Sequence, residues 1–334
     1  MAAGARGLPD REFRRVLNVG RGNSPYKWPA PSFSASGTVA VASARCQSKA
    51  GHHAPAQIMS MHSSGGHMSG GAFQETYADL YDRYLVPLQF GAYAGIVAEK
   101  VKTFGQRSVL ELAAGTGILT HELALLLPPD MTITGTDLNQ PMIDQAKAKP
   151  GMERVMWRQA DAMDLPFPNE NFDIVVSAFG VMFFPDKAES FREARRVLRH
   201  KGRYLFVVWD DWKRMPDAPL AIAADVVAGL LACDPASLVN PPYHDEDAIR
   251  GDLRAANFEG VVIDRVTRPA TASSAHDAAM ATVHGSLIRT VIEKIDIALL
   301  DEATNAVAQA LHRKFGGGAI AGETHALMIT AEKP

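Results

Sequence analysis

The residues of this 334-residue chain best suited to chemistry lie in the segment 109–117, V-L-E-L-A-A-G-T-G, where a strand-like apolar run gives way to small residues. Gly115 and Gly117 carry no Cβ and tolerate positive φ, so N–H groups at the start of a helix beginning near Ile118 can face a ligand closely. Twenty residues beyond Gly117 stands Asp137, at the tip of the next expected strand. A carboxylate there is where a doubly wound fold hydrogen-bonds ribose hydroxyls. A third acid, Asp161, follows the third expected strand and can accept from an adenine amino group, with Leu138 and Met163 as apolar walls for the base. Each acid alone is most simply a cap or a loop residue. In order after strands one, two and three, they point to an adenosine site.

Those acids need a sheet to bring them together. Short β-rich runs at 108–113, 132–137, 154–159, 172–178 and 203–209 alternate with helical stretches, which predicts βαβ units and a parallel sheet covered on both faces. Asn139 followed by Pro141 marks one helix start. Asp186 with Glu189 forms a capping-box-like start for another, whose stripe is Phe191, Ala194 and Leu198 and whose basic end precedes Gly202. Upstream, Tyr77, Leu80, Tyr81 and Tyr84, then Leu88, Ile96, Val97, Val101 and Phe104, fit two packing helices. After Trp209 the rhythm breaks: helical stretches at about 216–256 and 275–315 frame a sixth strand at 260–268 and precede a seventh at 324–331. The expected fold is therefore α/β and Rossmann-like, a doubly wound seven-stranded sheet, mostly parallel with an antiparallel edge strand. Helical insertions at about 213–256 and 272–318 would form a lid.

Composition agrees with a folded enzyme-sized protein, with 47% hydrophobic and 21% charged residues. Residues 1–60 hold eight Lys and Arg against two Asp and Glu, and no acid follows Glu12 until Glu75, so 1–72 reads as a disordered or leader segment. An acid-poor, Arg- and Ser-rich start is also the composition of an organelle transit peptide; otherwise the expectation is a cytoplasmic protein. The domain itself is expected over 73–334. Two distant cysteines, Cys46 and Cys233, exclude a disulfide scaffold and a four-cysteine zinc site. His244 with Asp245 and Asp247 lacks the spacing of a ligand set, so no metal is expected. No stripe of basic residues argues for nucleic acid, and no apolar run is long enough for membrane insertion.

A nicotinamide dehydrogenase would carry G-x-G-x-x-G, and here the third glycine's position is Thr120. An adenosine without a pyrophosphate fits better, and S-adenosylmethionine is one. At this point the chain resembles a class I S-adenosylmethionine-dependent methyltransferase, of the small-molecule group that includes quinone-biosynthesis C-methyltransferases. The resemblance covers about 73–333 and is densest over 109–210. It implies that Glu111, Ala113, Gly115 and Gly117 form the family's first motif, with alanine where many members have glycine. It further implies that Asp137 is the acidic second motif and that Asp161 and Ala162 contact adenine. The fourth strand, 172–178 with Ser177 near its end, would then face the transferred methyl, and Tyr77 would close over the cofactor from an N-terminal helix.

The acceptor is expected at the carboxyl ends of the strands, bounded by Phe179, Met182 and Phe183, and to be a small, partly hydrophobic molecule. A sulfonium methyl is already electrophilic, so no catalytic residue is assigned; if a base is used, His244, His284 and Asp210 are candidates. Asn240-Pro-Pro-Tyr243 matches a tetrapeptide of certain amino-methyltransferases but lies after the fifth strand, not the fourth, and reads as a helix stop. Gly316-Gly-Gly318 reads as a flexible connection. The alternatives are a non-catalytic S-adenosylmethionine-binding module and a nicotinamide-dependent oxidoreductase. A homo-oligomer is left open.

Overall fold

Five parallel strands carry the candidate site on one edge. In the computed structural model, β1 (Ser108–Glu111), β2 (Thr132–Asp137), β3 (Val155–Gln159), β4 (Phe172–Ala178) and β5 (Leu198–Trp209) pair in parallel in the order β3-β2-β1-β4-β5. The switch of direction between β1 and β4 leaves a crevice at their carboxyl ends. The structure describes residues 76–105 and 107–334, which lie within a single compact unit. The expected leader, 1–72, and Phe73 lie outside the described residues.

β6 (Glu259–Ala272) and β7 (Ile320–Glu332) complete a seven-stranded sheet. The antiparallel pairing is at this edge, as expected, but the reversed strand β7 lies inboard, between β5 and an outermost β6. Both strands run longer than their apolar patterns suggest. β6 continues past the expected end at 268 through Pro269, which pairs with Glu323, because an edge strand turns half of its N–H groups away from the sheet. β5 likewise begins five residues early: Leu198 pairs with Phe172, and Lys201 at positive φ followed by Gly202 makes a bulge before the main ladder. A Cβ on Gly202 would come within 2.8 Å of the Arg199 carbonyl oxygen.

Helices cover both faces. α1 (Tyr77–Leu80) opens on a capping box in which Thr76 accepts from the Asp79 N–H, and Asp79 accepts from the Thr76 N–H. It runs through a π-helical segment (Tyr81–Phe90) into α2 (Gly91–Thr103). Pro87, lacking an N–H, sits in that widened segment, and Gly91 donates five residues back to Val86. α3 (Ile118–Leu126), α4 (Gln140–Lys147) and α5 (Lys187–Val197) are the crossovers, the last capped by Asp186 accepting from the Glu189 N–H. The first insertion holds α6 (Pro219–Leu231) and α7 (Glu246–Ala255). The second holds α8 (Ala275–Ala279), a π-helical turn (Met280–His284), α9 (Leu287–Ile295) and α10 (Leu299–Phe315). α6 packs on α10, so the two insertions support each other, and the Tyr81–Phe90 segment packs against the Met280–His284 turn. Among the described residues no helix is long and apolar enough to cross a membrane.

One close approach within the sheet is testable. The Trp157 indole lies on Gly135 of β2, where an added Cβ would stand 2.5 Å from the ring. Gly135→Ala should therefore lose about 1–3 kcal/mol by overpacking, read as a lower midpoint in chemical denaturation.

Candidate active site

The turn after β1 is built on three left-handed residues, Ala113 (φ 54°), Gly115 (φ 56°) and Gly117 (φ 81°). Only the glycines adopt this backbone without cost, so Ala113 holds a strained position. It also crowds the end of β4: a Cβ on Gly180 would meet the Ala113 Cβ at 2.5 Å and the Ser177 Oγ at 2.7 Å. Gly117 is enclosed from below by Ala146, Met152 and Trp157, each about 3 Å from where its Cβ would be. Beside Gly115, by contrast, an added Cβ would meet nothing nearer than the Tyr81 hydroxyl, at 4.0 Å. The turn is packed beneath and open toward the lid.

Asp137, at the tip of β2, accepts from the Gly115 N–H (2.8 Å) on one oxygen and from the Asn139 N–H (2.8 Å) on the other. Each oxygen keeps lone-pair capacity for a hydroxyl donor. Burial raises its pKa, opposed by the N–H groups of Asn139, Gly115 and Leu138. Asp161 is half-buried one turn away: Ala160 donates its N–H to the Asp137 carbonyl (3.0 Å), and Asp161 accepts from the Met163 N–H (2.9 Å). Gly115, Asp137 and Asp161 thus lie close together at the carboxyl ends of β1, β2 and β3. Leu138 beside them is 42% exposed, an apolar surface open to a planar group, and Ala162 is half-buried.

Glu111 ends β1 beneath the turn, 2% exposed, and accepts from the Thr120 hydroxyl (2.5 Å). Burial pushes its pKa up to about 8, with the Thr120 hydrogen bond opposing and the Asp137 charge adding to the rise. Thr120, which stands where a dinucleotide fingerprint wants glycine, is therefore the partner of the motif's own carboxyl.

The N-terminal helical segment is held over the turn by residues that the sequence reading missed. Asp82 pairs with Lys149 in a buried salt bridge and accepts from the Thr116 hydroxyl (2.6 Å), while Lys149 Nζ also donates to the Thr116 carbonyl (2.7 Å). Three segments far apart in sequence share this knot, and no local pattern announces it. Tyr77 donates its hydroxyl to the Gly285 carbonyl (3.2 Å), which ties the first helix to the second insertion. Burial pushes the Tyr77 pKa up to about 12, against the lowering charge of Arg289. Burial also raises Tyr81.

At the carboxyl end of β5 a small, partly open cavity of about 50 Å³ is walled by Trp209, Met215, Ala218, Ala221, Pro241 and Tyr243. The Asn240-Pro-Pro-Tyr243 segment, expected from its prolines to end a helix, does not: α6 stops at Leu231 on a left-handed Ala232, and the segment forms part of this wall. Tyr243 is fixed by donating to Asp252 (2.7 Å) with the Lys187 ammonium over its ring. Phe179 stands one layer behind, stacked on Trp209 at 4.0 Å and flanked by Phe90 and Tyr93, each 5.2 Å away. Met182 is buried and Phe183 half-buried in the turn that follows. Ser177 is fully buried, its Oγ without a hydrogen-bond partner.

Of the base candidates, Asp210 and His244 line the cavity. Burial would raise the Asp210 pKa, but the Asp211 N–H and the Arg265 guanidinium (2.6 Å) hold it below the ordinary range, so it stays an anion in an ion pair. His284 lies elsewhere, packed between Thr304 and Arg289 in the second insertion. Because the Thr304 hydroxyl donates to the Leu300 carbonyl, His284 Nε2 must be its donor, and Nδ1 accepts from Arg289. Burial lowers the His284 pKa, as a neutral ring requires.

The family described as Methyltransferase domain matches residues 110–206, less than a third of the chain and the span from β1 to β5 that carries the crevice. The resemblance to class I S-adenosylmethionine-dependent methyltransferases is borne out over this segment. The ubiquinone/menaquinone biosynthesis C-methyltransferase UbiE of Geotalea daltonii is 29% identical over 140 residues, covering 40% of this chain and 60% of that protein. The demethylmenaquinone methyltransferase of Lactobacillus johnsonii is 36% identical over 109 residues, covering 31% and 45%. A UbiE protein of Shewanella sediminis is 27% identical over 221 residues, covering 60% and 86%. The chain thus spans 60% of the length of the first and 45% of the second.

The raised Glu111 pKa has a measurable sign. The folded value, about 8, exceeds the value of 4.5 for the free side chain, so unfolding exposes a carboxyl that ionises more readily. Its contribution favours folding least above pH 8 and is lost progressively as pH rises from about 4.5, with a slope approaching ~1.4 kcal/mol per pH unit. Glu111→Gln, which keeps an acceptor for Thr120, should flatten that slope between pH 5 and 8 in urea unfolding of the ligand-free protein.

Proposed function

We propose that this chain transfers a methyl group from S-adenosylmethionine to a small, partly hydrophobic acceptor. The observation that carries the reading is the adjacency of Gly115, Asp137 and Asp161 at the carboxyl ends of β1 to β3, at the same sheet edge as a largely apolar cavity. The residues fit such a cofactor: Asp137 has acceptor capacity left for ribose hydroxyls, Asp161 for an adenine amino group, and Leu138 and Met163 supply apolar surface for the base. The open side of Gly115 lets a tail approach the backbone, with Glu111, Ala113 and Gly117 shaping the turn around it. Tyr77 and Tyr81 would close over it from the lid, and Ser177, with Ala162 nearer the base, completes the set.

When bound, the cofactor supplies an electrophilic methyl on a sulfonium. What remains for the chain is to align the acceptor and exclude water, and positioning alone can supply effective molarities of ~10⁵ M or more. The aromatic wall of Trp209 and Tyr243, backed by Phe179, and the two insertions serve both tasks, while Met182 and Phe183 lie in the turn after β4, outside the cavity lining. The names of the relatives, quinone-biosynthesis C-methyltransferases, agree with a partly hydrophobic acceptor. His244 is the cavity group free to take a proton if the acceptor must lose one, since Asp210 is committed to Arg265.

Calorimetric titration should show S-adenosylmethionine binding and NAD failing to bind; the reverse would make the chain an oxidoreductase. Methyl-label transfer across an acceptor panel separates an enzyme from a binding module. Asp137→Ala should weaken cofactor affinity by about 1–3 kcal/mol, since it removes charge-assisted hydrogen bonds as well as the anchor of Gly115. The cofactor's positive charges should draw the Glu111 carboxyl toward ionisation, so binding at pH 7 should release a proton, seen as a dependence of the titration heat on buffer ionisation enthalpy. Glu111→Gln should abolish that dependence.

A further inference from the structure

Two residues that line the cavity each carry a buried N–H donor with no hydrogen-bond partner among the described residues, Gln89 Nε2 and Trp209 Nε1. Gln89 is 2% exposed, so its amide is shut away from water with the donor unused. The two arrive from different elements, Gln89 from the Tyr81–Phe90 segment and Trp209 from the last position of β5. Packing does not require either to be polar. The Trp209 ring stacks on Phe179 and meets Tyr93 edge-on at 5.5 Å, contacts that a phenyl ring would also make. A leucine would fill the space of Gln89 without leaving a buried donor unsatisfied, which is the costly arrangement. Unpaired buried donors at a cavity are what a site built for a ligand oxygen keeps, and such a site rejects analogues that lack the oxygen.

The charge around them limits what that oxygen can be. The lining residues include no Lys or Arg, and the one carboxylate, Asp210, is paired with Arg265 behind the wall. No permanently cationic side chain lines the wall to compensate an anion, and Asp210 would repel one.

We propose that Gln89 and Trp209 are specificity-determining residues that together hold one neutral oxygen, of the ketone or hydroxyl kind, on an otherwise apolar acceptor. This rests on the reading of the cavity as the acceptor's chamber. It explains why a chamber with an apolar wall keeps two unsatisfied donors, and it sets the acceptor's orientation by a polar anchor and not by fit alone.

Three probes of one scaffold test it on the full chain: 2-acetylnaphthalene, 2-ethylnaphthalene and 2-naphthoate, titrated by ligand-observed NMR with and without S-adenosylhomocysteine. The ketone should bind about tenfold more tightly than the hydrocarbon, the worth of a neutral hydrogen bond, and the carboxylate should bind more weakly than the ketone. Gln89→Leu and Trp209→Phe should each reduce the preference for the ketone, and the double variant should erase it, with affinity for 2-ethylnaphthalene held within about twofold. The thermal midpoint of Gln89→Leu should be unchanged or higher, an outcome a purely structural role would not produce. Should Gln89→Leu fail to fold, the loss of preference in Trp209→Phe decides alone. Equal binding of ketone and hydrocarbon, no binding of either, or a preference that survives the substitutions overturns the proposal. Failure of S-adenosylhomocysteine itself to bind would count against the methyltransferase reading and leave the result on the two donors standing.

Discussion

The hydrogen bond from the Gly115 N–H to the Asp137 carboxylate is the constraint on which the rest of the site depends. It closes the β1 turn onto the tip of β2, and it requires the chain to pass through three left-handed residues in five positions. That path is possible only because Gly117 and Gly180 leave room for Trp157 below and for Ala113 beside. The turn therefore arrives at any ligand already shaped, with its N–H groups spoken for or aimed. Ala113 holds its left-handed backbone without the freedom of glycine, a strain that the surrounding packing sustains.

Acidic groups accumulate at this turn, and the structure handles each differently. Glu111 is pushed toward neutrality by burial, Asp137 is bridged by backbone N–H groups, and Asp82 is matched by Lys149. The last of these binds the lid to the turn, since Thr116 contributes both its hydroxyl and its carbonyl. An ion pair in so buried a place is weak evidence for stability, because desolvation offsets much of the attraction. Its consequence is geometric: the first helix, the turn and the end of α4 move together or not at all. A cofactor held under Tyr77 and Tyr81 would add its own contacts to a latch that is already formed.

The cavity depends on β5 and on the insertions more than on β4. Trp209 leaves the strand into an aromatic cluster with Phe179, Phe90 and Tyr93, and this cluster forms the solid floor against which the prolines and small residues of the first insertion close. Tyr93 ties the same cluster to β7 by donating to the Thr324 carbonyl (2.8 Å). The position of β7, between β5 and β6, is thus what brings the far end of the chain to the acceptor side.

Much of this was legible in the sequence, because the signals were local. The parallel pairing follows from alternating β and helical patterns, and β2 and β4 have the bounds that their apolar runs suggest. Gly115, Asp137 and Asp161 could be chosen because a parallel sheet must place the tips of consecutive strands on one edge, whatever the loops do. The lengths of β5, β6 and β7 were not legible, since a bulge at Lys201 and a tolerated Pro269 depend on the neighbouring strand and on being at an edge. Nor were Asp82 and Lys149, 67 positions apart, or Gln89 and Trp209, which lie on separate elements. Periodicity and turn chemistry report what each segment does with its own backbone. Which distant side chains share a buried space is set only when the segments pack, and that is where the latch, the committed Asp210 and the two unpaired donors were decided.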